Sequence, residues 1–434
     1  MNTISGFSKM TKEQKISWLS SELSGEASEL VSNLSQFWLK DVETQKRFDE
    51  FSENTLTNYS LPFGVAPNFL INGKIYTVPM VIEESSVVAA ASLSAKFWLD
   101  RGGFKTKVLG TKKIGQIHFL STINDKALSE FFLESKAKLL ESVSEITKNM
   151  RKRGGGIISL ELVNLNEKIK NYYQIKITAE TCNAMGANFI NSILEMVGQT
   201  FKKLVQESSH FSQEERDIEI IMCILSNFTP ESLVECYVEC AVEDLGEFPD
   251  GMSAQDFARR FVTAVEIAKV DAFRAVTHNK GIMNGVDAVI LATGNDFRAT
   301  EACAHAFASR DGLYRSLSSA KIENGIFKFS LKIPLSVGTV GGLTSIHPLA
   351  KTSLAILGNP SASELMQIIA ATGLAQNFGA IKSLVTTGIQ KGHMKLHLLN
   401  ILTQLNATPE QVERAKEYFS DKVISYNAVR NFLF

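Results

Sequence analysis

Between residues 113 and 221 the hydrophobic period switches from 2 to 3.6 and back, in an order that few folds satisfy. Ile114 to Ser121 reads as a strand, and Asp125 to Met150 as a helix with Leu128, Phe132, Leu139, Val143, Ile146 and Met150 on one face. Ile158, Leu160 and Leu162 alternate with polar residues, as do Tyr173, Ile175 and Ile177. Asn183 to Leu204 carries a helical stripe of Ile190, Ile193, Leu194, Val197, Phe201 and Leu204, and Asp217 to Leu225 closes the set as a strand. The order β-α-β-β-α-β predicts a split-βαβ, ferredoxin-like unit, inserted as a small domain at 113–221.

The rest must fold around that insert. At 434 residues the chain exceeds one compact core and suits two or three domains. Residues 11–55 are charged and amphipathic and read as helices. Asn68 to Val81 alternates around Asn72-Gly73, a hairpin signal. Ser86 to Leu99, rich in Ala, Ser and Val, reads as a tightly packed helix ended by Gly102-Gly103. Residues 222–387 mix helices and strands that rejoin 1–112 in one large, discontinuous domain. The last stretch, 388–434, reads as a helical flap. Thr408-Pro409-Glu410-Gln411 is a helix start with a capping box, and Gly388 and Gly392 bracket a hinge.

Composition excludes several functions. Lys+Arg (45) and Asp+Glu (46) nearly cancel, so there is no general basic face for nucleic acid. The first thirty residues have no apolar core, and no run reaches the roughly 18 apolar residues of a membrane helix. Five cysteines without a paired framework point to reduced thiols and a cytoplasmic protein. Cys236 and Cys240 could share a helix face, but their spacing is not Cys-x-x-Cys, and core packing is the expectation.

Several segments could carry chemistry. His278 to Asp296 holds Lys280, a glycine-flanked Asn284-Gly285 turn, the apolar run Ala288–Ala292 and Asp296. A Lys and an Asp presented at the ends of a rigid element could pair in a cleft, where pKa values are tuned. The ordinary alternative is a salt bridge. Glu83-Glu84-Ser85-Ser86 follows an apolar strand and opens a helix, where acids act as caps or as functional groups. Asn183-Ala184-Met185-Gly186-Ala187-Asn188 lies where a strand hands over to a helix; small residues and free N–H groups there suit a phosphate or dinucleotide, or simply a tight junction. Gly338-Thr339-Val340-Gly341-Gly342 is not a Rossmann fingerprint, so a dinucleotide here would need another fold. Lys148, Arg151, Lys152 and Arg153 precede Gly154-Gly155-Gly156, either as helix-end complements or as a phosphate grip. His393 and His397 have zinc-compatible spacing, but Met394 replaces the glutamate of H-E-x-x-H and no third ligand is indicated. No metal is expected, and a proton donor fits His393 better.

Taken in order, E-N with L-P, E-E-x-S-x-V-A-A-A, N-A-M-G-A-N, H-N-K-G-I-M-N-G, G-N-D, G-T-V-G-G and G-H-M-x-L-H resemble the 3-hydroxy-3-methylglutaryl-coenzyme A reductases, in their soluble bacterial class II form. The resemblance runs from about Glu53 to the C-terminus. It implies an α+β fold, with a large substrate domain, the split-βαβ insert as dinucleotide domain, and a C-terminal flap. It implies reduction of a thioester to mevalonate and free coenzyme A by two hydrides from NADPH, with NADH the alternative. By the same resemblance Glu84, Lys280, Asp296 and His393 are catalytic. Lys280 would stabilise the oxyanion, Glu84 would donate a proton, Asp296 would lie between these two, and His393 would protonate the departing thiolate. Glu53, Ser86, Arg274 and Asn284 would bind substrate. Asn183, Met185, Gly186, Asn188, Gly338, Gly341 and Gly342 would line the dinucleotide site.

Two details qualify the resemblance. The family usually has Asp where this chain has Asn183, which alters charge at a nicotinamide contact. NAD-preferring relatives carry an aspartate where this chain has Thr147 followed by Lys148; neither repels a 2′-phosphate, hence the choice of NADPH. A homodimer with shared active sites is implied. The alternatives are the same reaction run backwards for mevalonate catabolism, and a non-catalytic acyl-coenzyme A or nucleotide-binding homologue.

Overall fold

The computed structural model describes residues 2–23, 27–388, 398–419, 422 and 424–434. The chain divides into two units, Met1–Pro62 and Phe63–Phe434. In the first, helices α1 (Lys12–Glu22), α2 (Ala27–Ser35) and α3 (Val42–Asp49) form from the charged sequence. A complete capping box of Thr11 and Gln14 opens α1, and Lys12 pairs with Asp49 at 2.9 Å.

The second unit begins with the expected hairpin, β1 (Phe63–Ile71) and β2 (Lys74–Val81). Asn72 (φ 48°) and Gly73 (φ 84°) are both left-handed, as a two-residue turn with the right twist requires. Helix α4 (Val87–Leu99) follows, then the short strand β3 (Lys105–Val108).

Next comes the split-βαβ pattern: β4 (Lys113–Leu120), α5 (Asp125–Ser142), α6 (Ser144–Lys152), β5 (Gly156–Asn164), β6 (Tyr172–Glu180), α7 (Ala187–Glu207) and β7 (Glu219–Ser226). The strands lie in the order β5-β6-β4-β7, every neighbour antiparallel. One face packs on α5 and α7 through Ile117, Phe119, Ile175, Ile193, Val197 and Phe201. Two sequence expectations need correction. The helix over 125–150 is broken at Val143, whose φ/ψ of −106°/11° is non-helical. The Ser142 hydroxyl there bonds the Leu139 carbonyl, so it competes with the helix ladder. Ile158 is exposed, because a register shift between Ile157 and Ser159 turns it away from Leu160.

The chain then returns as β8 (Leu233–Ala241), α8 (Ala254–Val270), α9 (Ala272–Ala292), α10 (Phe297–Ala308), β9 (Ser318–Glu323) and β10 (Ile326–Pro334). A second sheet has the order β3-β8-β10-β9. Cys236 and Cys240 sit on strand β8, not on a helix, and face Leu331 and Phe327 across the ladder. Two short helices, α11 (Gly342–Ile346) and α12 (Pro348–Ile356), lead to α13 (Ala362–Val385). By length and composition α13 could cross a membrane, against the expectation above, but 67% of its apolar window is buried inside the fold. It is the central core helix.

The Asn284-Gly285 turn does not exist; α9 runs unbroken through it. Gly285 serves a close approach instead. A Cβ there would stand 2.6 Å from the Thr372 carbonyl of α13, and one on Gly373 would stand 2.8 Å from Val286 Cγ2. Reciprocal glycines let α9 and α13 touch backbone to backbone. Beyond α13, Gly388 (φ 78°) bonds back to the Ser383 carbonyl, and Gly392, His393 and His397 lie outside the described residues. The Thr408–Gln411 capping box opens the helix Pro409–Tyr418 as expected.

Candidate active site

A cavity of about 410 Å³ opens between the start of α4, the outer stripe of α9 and the C-terminal half of α13. It gathers five of the sequence-derived residues: Glu84, Ser86, Arg274, Lys280 and Asn284. Lys280 Nζ donates to Glu84 Oε2 at 2.7 Å, and Asn284 Nδ2 stands 3.5 Å from the same oxygen. Residues 280 and 284 are one helical turn apart, so both reach the same carboxylate. Glu84 is delivered by the β2–α4 connection, which ends in a left-handed Ser86 (φ 75°). Ser86 makes no side-chain cap to α4, so it leaves the first-turn N–H groups of that helix uncapped at the cavity rim.

Three buried polar atoms on the lining have no hydrogen-bond partner among the described residues: Ser86 Oγ, Gln376 Oε1 and His278 Nδ1. Polar atoms orphaned in one cavity fit a polar ligand. His278 Nε2 lies 2.6 Å from Ser318 Oγ, which donates onward to Asn377 Oδ1 at 2.9 Å. That direction leaves Nε2 as the protonated nitrogen and Nδ1 as a bare acceptor. Burial, helped by the Arg274 guanidinium, pulls the His278 pKa down to about 3, so the ring is neutral. Sequence reasoning missed Gln376, Asn377 and the role of His278. The signal was there: a Gln-Asn pair inside an otherwise apolar 24-residue helix needs a reason to be buried.

The remaining sequence-derived residues form a second cluster. The Asn183 carbonyl accepts from Thr339 N at 2.8 Å, and Ala184 bridges Val340 in parallel. Gly338 N donates to Asn295 Oδ1 at 2.8 Å, and a Cβ on Gly338 would lie 2.5 Å from Met185 N. The N-A-M-G-A-N, G-T-V-G-G and G-N-D segments are therefore one assembly. Gly186 (φ 91°) caps α7 without a side-chain bond, and Asn188 is exposed in the first turn. Gly341 (φ 80°) and Gly342 (φ 55°) face open space. Uncapped N–H groups beside bare glycine backbone fit a dinucleotide. Asn183 Oδ1 accepts from Ala362 N at the start of α13 at 2.9 Å, an acceptor task that Asn and Asp fill alike.

Asp296, Thr147 and Lys148 are placed otherwise than expected. Asp296 does not reach Lys280 or Glu84 within this chain. It caps α10, accepting from Arg298 N and Ala299 N, with the Arg298 guanidinium at 3.4 Å. Burial raises its pKa, but the Ala299 N–H and the Arg298 groups outweigh that and hold it below the ordinary range. Lys280 precedes the last residue of α9 by twelve positions, about 18 Å of helix. Thr147 is buried in α6 with its hydroxyl bonded to the Val143 carbonyl at 2.9 Å, so it presents nothing to a ligand. Lys148 is exposed and pairs with Glu145 at 3.2 Å. Glu53 is exposed in the separate N-terminal unit, and His393 is outside the described residues.

An acid–ammonium pair in a cavity with orphaned polar atoms, and a glycine-lined assembly without a Rossmann turn, fit the class of the oxidoreductases. A family model described as hydroxymethylglutaryl-coenzyme A reductase matches residues 12–398. The 3-hydroxy-3-methylglutaryl-coenzyme A reductase of Archaeoglobus fulgidus is 36% identical over 415 residues, covering 95% of this chain and 90% of the relative. A probable reductase of Borreliella burgdorferi is 35% identical, over 84% and 81%. A solved reductase from Streptococcus pneumoniae superposes with a TM-score of 0.73 at 36% identity, covering 100% of this chain and 99% of that one. Another structure, of the class II enzyme of the same species bound to NADPH in open conformations, has a TM-score of 0.73 at 37% identity, over 89% and 100%. The chain belongs to the hydroxymethylglutaryl-coenzyme A reductase family.

Proposed function

We infer that the chain reduces 3-hydroxy-3-methylglutaryl-coenzyme A to mevalonate and free coenzyme A, in the mevalonate pathway of isoprenoid synthesis. The observation that carries this reading is the 2.7 Å Lys280–Glu84 pair in a cavity also lined by Arg274, Asn284 and Ser86. NADPH supplies two hydrides when bound, and each needs a matching proton. Lys280 holds the oxygen that becomes negative as the carbonyl is attacked. Glu84, in contact with that ammonium, supplies the proton to the same oxygen. Arg274 grips the free carboxylate of the acyl group with parallel N–H groups. Asn284 and Ser86 orient the acyl chain. His393 protonates the departing thiolate from the terminal flap at 388–434.

The dinucleotide is held by the small domain at 113–221 together with the glycines of the 338–342 segment. The separation of Asp296 from Lys280 along α9 supports a homodimer in which each site takes Lys280 and Glu84 from one subunit and Asp296 from the other. Asp296, though it caps α10, is exposed. The cytoplasm is the proposed location: the five cysteines are all free thiols in the fold.

The experiment is a spectrophotometric assay with thioester and each cofactor. Two NADPH should be oxidised per thiol released. One NADPH per thiol, or no thiol release, would overturn the reading.

A further inference from the structure

Lys113 is 2% exposed, and the catalytic scheme above leaves it unused. It stands at the first residue of β4, where the chain crosses from the second sheet into the split-βαβ unit. Its Nζ donates to the Thr111 carbonyl at 2.8 Å and to Ser232 Oγ, on the returning crossing, at 3.4 Å. The two crossings also pair directly: Leu109 N bonds Leu233 O at 2.8 Å, and Leu233 N bonds Gly110 O at 3.0 Å. Gly110 admits no side chain, since a Cβ would stand 2.4 Å from the Glu231 carbonyl.

Both glycine-rich segments start from this node. Ser232 exchanges hydrogen bonds with Leu335, its hydroxyl donating to the Leu335 carbonyl at 2.7 Å and its carbonyl accepting from Leu335 N at 2.7 Å. Gly338 lies three residues on. Across the node, Glu180 accepts from the Thr111 hydroxyl, and its other oxygen accepts from Cys182 N at 2.8 Å. Asn183 is the next residue. A Cβ on Gly155 would meet the Glu180 carbonyl at 2.6 Å, so the triple glycine also packs here. Burial lowers the Lys113 pKa, while Glu180 and then Cys182 pull it back up.

We propose that Lys113 is a positioning residue for the dinucleotide: with Glu180 and Ser232 it fixes the spacing between the 183–188 and 338–342 segments. A neutral side chain there removes the charge that interacts with Glu180 and the N–H donor that reaches Ser232 Oγ. The two segments then lose their common anchor, and a small misplacement at a binding site costs up to about a hundredfold. This rests on the assignment of those segments to the cofactor.

The test measures NADPH dissociation by fluorescence titration of the full-length protein, thioester KM by steady-state assay, and thermal unfolding. Lys113→Met should weaken NADPH binding about tenfold or more with thioester KM unchanged. Glu180→Gln should weaken it less, and the double variant should fall short of the product of the two effects, because the two charges interact. Folded Lys113→Met with NADPH affinity within twofold of wild type overturns the proposal, as does a parallel rise in thioester KM, which marks general loosening. If Lys113→Met does not fold, Glu180→Gln decides: unchanged NADPH affinity overturns the proposal. Failure of the wild-type protein to bind NADPH would instead remove the cofactor assignment beneath it.

Discussion

Lys280 Nζ and Glu84 Oε2 lie 2.7 Å apart although 196 residues separate them in the chain. The α9–α13 contact makes this meeting possible. Gly285 and Gly373 bring the two helices together, and α4 packs on α13 where a Cβ on Gly379 would stand 2.9 Å from Ser94 Oγ. Glu84 leads into α4 and Lys280 rides on α9, so three close-packed helices set one ion pair.

That pair contributes little to stability. The Lys280 side chain is 60% exposed and that of Glu84 is 39% exposed, and ion pairs this wet contribute about 0–1 kcal/mol. Lys280→Ala should therefore unfold at nearly the wild-type temperature. Removing the charge that meets the developing oxyanion should lower kcat at least about a hundredfold. A well-folded Lys280→Ala enzyme retaining a tenth of its kcat would contradict the role.

Arg274 should act on binding. It lines the cavity one turn before His278, and burial lowers its pKa, so its charge is only partly hydrated. Charged hydrogen bonds contribute about 1.5–3 kcal/mol. Arg274→Ala should raise thioester KM roughly tenfold to a hundredfold, with a smaller change in kcat, and leave NADPH KM alone. Equal effects on both KM values would argue against a carboxylate contact.

His278 makes a stability prediction with a definite sign. Its folded pKa of about 3 lies below its ordinary 6.5. Between those values the unfolded chain binds a proton that the folded chain refuses. Stability is therefore full above about pH 6.5 and is lost as pH falls, at up to about 1.4 kcal/mol per unit for this group. His278→Gln keeps a donor toward Ser318 and removes the titration. In urea unfolding at pH 7, 6 and 5, the wild type should lose stability on this slope relative to the variant. A pH-independent difference would mean that the imidazole takes up its proton as readily folded as unfolded.

Local signals in the sequence were legible; contacts between distant segments were not. The Asn72-Gly73 turn, the Gly186 junction and the Thr408 capping box depend on a few adjacent residues, and each appears where the sequence places it. Gly285 looks the same in sequence as a turn glycine. Only the Thr372 carbonyl, 87 positions away, reveals it as a packing glycine. Thr147 falls at the right count from Gly154, but the break at Val143 resets the helix phase and turns it inward. Cys236 and Cys240 were ambiguous because a spacing of four residues also shares a face on a strand. Motif order brought Glu84, Arg274, Lys280 and Asn284 into one site, yet it could not reveal that Asp296 stands at the far end of α9.

That distance gives the sharpest test of the two-subunit site. About 18 Å of helix between Lys280 and the end of α9 cannot be closed by a lysine side chain and a capping aspartate. If each site draws Lys280 from one subunit and Asp296 from the other, Lys280→Ala and Asp296→Ala homodimers are both inactive. A heterodimer of the two variants has one site with both lesions and one with neither. Random reassociation of an equal mixture makes half the dimers mixed, so activity should return to about a quarter of wild type. Both variants should be mixed under conditions that exchange subunits, and NADPH oxidation followed with time. No recovery, with subunit exchange verified by mass, would require a site within one chain, and the separation along α9 would then have to close by a movement of α10.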